Sequence, residues 1–271
     1  MNQVGRFMSK RSSLRIPREH GAWAMLYVSF AVGVLVAERL TLRLLFLALA
    51  VTCVFIAHES LLAWWRSRSR GQENIEARKF AAGYLVLAGV FGAPLLLAYH
   101  LYLLAPIALG AVVLLAVKAS VAAKKQDRTV SSEMVAIAGL AFTAPAAHYV
   151  ARGTFDATAL WLWVLCTLYF ASSVFYVQLR VRTLNSRRPE ARRQSWWSCA
   201  LYHVFLIAAL SVLTFTGSLN LFALAAFSPV LARSFWYLAN PAHQINLRRV
   251  GWLEVVYSIV FLIFVTLTFR F

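Results

Sequence analysis

Apolar residues in this chain gather into nine runs, at 21–37, 41–62, 80–98, 101–118, 132–150, 157–178, 197–216, 219–238 and 252–269. Each is close to the ~20 residues that a helix needs to cross the hydrocarbon of a bilayer. The first and fourth are short. Polar and charged residues collect between the runs. The pattern predicts an all-α fold, a polytopic membrane bundle of about nine transmembrane helices.

Composition agrees with the pattern. Hydrophobic residues make up 61% of the 271 and charged residues 14%, outside the range of soluble domains. The net charge is +17. All but five of the 27 Lys and Arg residues lie in the leading arm and in the loops after the second, fourth, sixth and eighth runs. Arg39, Arg43, Arg152 and Arg270 fall on the other side, and Arg233 sits inside the eighth run. Basic loops stay in the cytoplasm, so the expected orientation is N-terminus inside and C-terminus outside, in the bacterial cytoplasmic (inner) membrane.

This placement also explains the basic excess, through topology and attraction to anionic headgroups. It excludes nucleic acid as a partner, because no soluble domain is left to bind it. The basic arm and first run resemble a secretory signal in outline, yet eight further runs follow, so the run is expected to be a retained helix. Residues 1–271 read as a single integral membrane domain with a short basic arm at 1–17. Cys53, Cys166 and Cys199 fall in or beside the runs without metal-type spacing and are expected to be small core residues. Trp64, Trp65, Trp196 and Trp197 flank the basic loops as interfacial anchors.

Polar groups at membrane depth are expensive, so each marks either function or packing. On the basic side these are Arg18, Glu19 and His20 before the first run, and His58 and Glu59 at the end of the second. Ser131, Ser132 and Glu133 open the fifth. Tyr176, Gln178, Arg180 and Arg182 close the sixth, and His203 lies inside the seventh. Arg233, Asn240, His243 and Glu254 lie around the eighth and ninth. The other side carries His100, His148 and Asp156, close to the surface. The distribution points to a site open to the cytoplasm.

Glu19–His20 and His58–Glu59 are the candidate catalytic pairs, since a carboxylate orients an imidazole and raises its basicity. Arg18, Tyr176, Gln178, Arg180 and Arg182 are the candidate substrate-binding residues. Each has a structural counterpart reading. His58–Glu59 falls where a helix leaves the membrane, and Glu19 suits the positive end of a helix dipole. Arg233 and Glu254 read as an ion pair between the last two helices, because an unpaired buried charge is very costly. His203 reads as a hydrogen-bonded interior residue.

The stretch "PREHGAWAML" at 17–26, with the chain length and hydropathy, resembles the YwiC-like family of bacterial membrane proteins. More distantly, "LRIPREHG" and the nine-run, N-inside plan resemble UbiA-type prenyltransferases, which implies a UbiA-like bundle. In that family the loops after helices two and six carry aspartate-rich motifs that hold Mg²⁺ and a prenyl diphosphate. Here the corresponding stretches are "HESLLAWWRSRSRGQENIEARK" and "YVQLRVRTLNSRRPEARR", and neither contains an Asp. The metal site therefore does not carry over, and the metal and cofactor stay unassigned. The arginines offer direct, bidentate phosphate binding in its place.

Three function classes follow. One is a UbiA-like enzyme or relative that binds an isoprenoid or other lipid in a cytoplasm-facing pocket. A second is a transporter. A third is a non-catalytic subunit or assembly factor of a membrane complex. Membrane lipids are partners in all three, and protein partners are unassigned. A deep cavity with lateral access favours the first, a path through the bundle the second, and a filled bundle the third.

Overall fold

In a computed structural model, which describes residues 20–68, 71, 73–123, 130–185, 188–240 and 247–271, the described residues form ten helices. They are α1 (His20–Ala37), α2 (Leu42–Arg68), α3 (Ile75–Leu97), α4 (Leu104–Ala123), α5 (Val130–Ala141), α6 (Thr143–Arg152), α7 (Ala157–Asn185), α8 (Pro189–Phe215), α9 (Leu221–Ala239) and α10 (Leu247–Thr268). No strand occurs among the described residues. Seven spans among them are long and apolar enough to cross a membrane, and α1 and α4 supply two shorter apolar helices. The fold is the expected polytopic helical bundle, with α5 and α6 together forming the fifth span.

Several boundaries differ from the expected ones. α2 continues to Arg68, α7 continues to Asn185, and α8 already begins at Pro189. The apolar runs mark only the hydrocarbon-facing part of each helix. Arginine is a good helix former, so the helices extend beyond it, and Pro189 suits a first helical position. The fifth span is kinked at Phe142. The cause is Pro145, whose nitrogen has no hydrogen for the Ala141 carbonyl. The Thr143 hydroxyl lies 2.9 Å from the Leu140 oxygen and 3.0 Å from the Leu26 oxygen, which ties the kink to α1.

That kinked span is the axis of the bundle. In its membrane-crossing window 78% of the residues are buried, against 17% for α3 at the periphery. α1 packs closely on α6. A Cβ added at Gly33 would lie 2.2 Å from the Ala144 oxygen, so only glycine permits this approach. Ala37 follows one turn later, opposite Ala147 and its neighbours, in the small-residue packing that membrane helices use.

Two cores flank the axis. α7, α8, α9 and α10 join α1 and α5 around Tyr169, Phe227 and Phe261, with Tyr169 and Phe261 stacked at 4.0 Å between centroids. α2, α3, α4 and α6 surround a second, aliphatic core that includes Leu44, Leu47, Leu95 and Val150. α3 lies along α2 and does not pack along α4 in the same way.

Candidate functional site

A cavity with a volume of about 250 Å³ lies beside α3 and α4, which do not pack along one another. Its walls come from α1 to α6 and are almost wholly apolar, with small residues Ala88, Gly92, Ala105, Ala108 and Ala111 on the two facing helices. Small side chains on both sides leave the space unfilled. Along α4 the lining runs from Leu104 to Leu115, a length of roughly 16 Å at 1.5 Å per residue. The hydroxyl of Thr143, the polar side chain in the wall, is engaged with backbone carbonyls.

His58 stands one turn beyond this cavity. Val51, Val54 and Phe55 line it, and helical spacing puts position 58 on the same face of α2. The His58 ring lies against the backbone at Leu115, with Lys118 and Arg66 as its charged neighbours. Its Nδ1 is 3.9 Å from Glu59 Oε1. Its Nε2 is buried and has no hydrogen-bond partner among the described residues. The α2 pair thus places an imidazole and a carboxylate at the basic-loop end of an apolar channel, an arrangement suited to a polar head above an apolar chain.

The candidates on α7 have other neighbours. Tyr176 and Arg180 face Arg233 and Tyr237 of α9. Arg233 lies over the Tyr176 ring at 3.9 Å, Arg180 over the Tyr237 ring at 4.3 Å, and the two tyrosine rings meet edge-on at 5.8 Å. The register is constant, with 176 opposite 233 and 180 opposite 237, so the helices form a crossed arginine–tyrosine ladder. Arg180 is 1% exposed. Arg182 Nη1 donates to Ser195 Oγ at 3.1 Å, and Gln178 is half-buried. The expected Arg233–Glu254 ion pair is present, and Ser173 Oγ donates to Glu254 Oε2 at 2.8 Å. His203 is held as an interior residue: Nδ1 donates to the Cys199 carbonyl at 2.7 Å, so Nε2 accepts from Ser172 Oγ at 2.9 Å.

The structure therefore places the described candidates in two groups. His58 and Glu59 sit beside α4, and Tyr176, Arg180 and Arg182 sit against α8 and α9; α2 and α7 do not pack along one another. Arg18 and Glu19 lie outside the described residues, and His20 begins α1. The start of α1 reaches α2, with Trp23 edge-on to Phe55 at 4.8 Å and Tyr27 Oη 2.8 Å from Thr52 Oγ1. Among the described residues no three of His, Cys, Asp and Glu come together as a metal centre would need.

The sequence reading missed two features. The cavity left one signal, the small residues at matching depth in the third and fourth runs. The ladder left another, Tyr176 and Arg180 spaced by four and Arg233 and Tyr237 spaced by four in the opposite order.

Fold and site together define a polytopic helical membrane protein with an apolar cavity and a separate buried ionic cluster. The family model described as YwiC-like protein matches residues 16–148, the part of the chain that forms most of the cavity wall. An uncharacterised protein of Haemophilus influenzae is 24% identical over 256 residues, covering 92% of this chain and 96% of that one. The uncharacterised protein YwiC of Bacillus subtilis is 26% identical over 253 residues, covering 91% and 95%. No solved structure matches the chain. Over residues 16–148 the chain is similar to the YwiC-like family.

Proposed function

We propose that this protein binds an isoprenoid or other lipid-like amphiphile in the bacterial inner membrane. The chain of the ligand lies in the cavity between α3 and α4. Its polar head meets His58, Glu59 and Lys118 at the cytoplasmic end, the side that the basic loops mark. The observation that carries this reading is the cavity itself: apolar, elongated and lined by two neighbouring helices, α3 and α4, that do not pack along one another. A dry apolar channel accepts a hydrocarbon chain and offers nothing to a hydrated solute. The buried Nε2 of His58 supplies a polar contact at its end.

This is the arrangement that a UbiA-like enzyme or a relative of one would use to hold its lipid substrate. His58 and Glu59 would then be the proton-transfer pair. The transporter reading would draw on the kinked fifth span. Broken helices in transporters offer their freed backbone groups to substrate, and at this kink the Thr143 hydroxyl lies against the Leu140 carbonyl.

Mass spectrometry of lipid retained by the purified protein tests the proposal. Gly92 and Ala108 line the cavity, and a Cβ at Gly92 meets nothing within 4 Å. Gly92→Leu and Ala108→Phe are expected to fold with wild-type helicity and to lose the lipid that the wild type retains. Equal retention by the filled variants would contradict the proposal.

A further inference from the structure

Arg233 pairs with Glu254 across α9 and α10, and its side chain is 7% exposed. Nη1 makes that contact. Nε and Nη2 are buried and have no hydrogen-bond partner among the described residues. These two nitrogens share one edge of the guanidinium. Their N–H bonds point the same way and form the fork that receives both oxygens of a carboxylate or phosphate. The plane of the group is held by Tyr176 at 3.9 Å and Tyr257 at 5.3 Å. Stacking occupies the faces of the guanidinium and leaves its edges for hydrogen bonds.

Glu254 cannot serve the fork as well. Its Oε1 is engaged by Nη1 and its Oε2 accepts from Ser173. Tyr237 stands one turn from Arg233 on the same side of α9. Its hydroxyl is also buried without a hydrogen-bond partner among the described residues. Buried donors in proteins are nearly always satisfied, and ionisable groups near hydrocarbon mark binding sites by default. Arg233 also lies six residues from the end of α9 at Ala239, roughly 9 Å along the helix from the face with the basic loops.

We propose that the Arg233 fork and the Tyr237 hydroxyl form a binding site for an oxyanion of the phosphate class, between α7, α9 and α10. Arg180, stacked over the Tyr237 ring, adds positive potential beside it. The phosphate belongs either to a free anion or to a lipid headgroup. The site is independent of the apolar cavity, and its failure would leave the lipid-chain reading untouched.

The test uses the purified full chain and follows thermal unfolding. One arm compares sodium phosphate with sodium chloride at fixed ionic strength. The other compares phosphatidylcholine nanodiscs with and without phosphatidic acid. Arg233→Lys keeps the charge and the partner Glu254 but has no fork. Tyr237→Phe keeps the ring beneath Arg180 and removes only the hydroxyl. Arg43→Lys, stacked on Tyr99 at the opposite end, is the control. The wild type is expected to be stabilised by at least one probe. The midpoint concentration should rise about tenfold in Arg233→Lys, less in Tyr237→Phe, and not at all in Arg43→Lys. Stabilisation by inorganic phosphate assigns the site to free anion, and stabilisation by phosphatidic acid alone assigns it to a headgroup. No stabilisation of the wild type by either probe would overturn the proposal, as would equal midpoints in wild type and both site variants. Should Arg233→Lys not fold, the Tyr237→Phe midpoint decides, and an unchanged value overturns it.

Discussion

The two sides of the bundle solve the membrane problem differently. Around α7 to α10 the interior is built on stacked aromatic rings at its centre, beside an ionic cluster that includes Tyr176, Arg180, Arg233, Tyr237 and Glu254. Around α2 to α4 the helices are lined with small and aliphatic residues and leave a cavity of about 250 Å³. The difference follows from side-chain size. Large rings pack to high density and exclude lipid. Alanine and glycine on facing helices bring backbones together only if the helices converge, and α3 follows α2 away from α4. Under the proposed function, the aromatic half fixes polar groups and the small-residue half receives the chain.

The comparison breaks most visibly at the carboxylates. Glu254 is half-buried against the buried Arg233, and Glu254→Ala strands that buried charge, so unfolding stability should fall by about 3 kcal/mol. Glu59 is more exposed than Glu254, and Glu59→Ala should change stability by about 1 kcal/mol or less. Chemical denaturation in detergent measures both. Equal losses would mean that the two sides are equally dependent on buried ion pairs.

Glycines give the next largest contrast. Gly33→Ala drives a methyl group into the Ala144 carbonyl, and overpacking of this kind should cost about 1–3 kcal/mol. Gly92→Ala adds a methyl group to the cavity wall, where nothing lies within 4 Å. It should be neutral or slightly stabilising, because alanine favours helix by up to about 1 kcal/mol over glycine. A stable Gly33→Ala protein would show that α1 and α6 separate easily and that the axis is not tightly packed.

A smaller effect is expected at Tyr169. Its hydroxyl is 3.4 Å from Ser258 Oγ, a long contact, while its ring carries most of the packing. Tyr169→Phe should therefore cost about 1 kcal/mol or less, whereas a larger loss would show that the hydrogen bond, and not the stacked rings, holds the aromatic side. Orientation changes no stability but sharpens the account. Single cysteines near 70, 126 and 188 should be labelled from the cytoplasm and one near 154 from outside. Labelling of 188 from outside would reverse the face on which both candidate sites open.

The sequence made the spans legible because hydrocarbon enforces long apolar runs, and it showed the short first and fourth runs as short. The helix extensions at Arg68 and Asn185 were hidden, since helix continues where hydropathy falls. The kink at Phe142 was visible only as Pro145. Arg233 and Glu254 could be paired by the rule that buried charges need partners. Nothing in the sequence alone brings Tyr176 to Arg233, because that contact depends on the register of two helices separated by α8. The cavity depends on the divergence of α3 from α4, which hydropathy does not encode. His58 was recognised by its neighbour Glu59, while its position above the cavity emerged only from the helix face that it shares with Val51, Val54 and Phe55.

The central claim, that the gap between α3 and α4 receives a lipid chain, is tested most directly by photo-crosslinking in the membrane. A lipid with a photoactivatable group in its chain is incorporated, illuminated, and the labelled peptides are mapped. The account predicts labelling concentrated on the cavity-facing residues of α3 and α4, around Gly92 and Ala108, and suppressed in Ala108→Phe. Labelling spread evenly over the outer surfaces of α3, α8 and α10, and unchanged in Ala108→Phe, would contradict it.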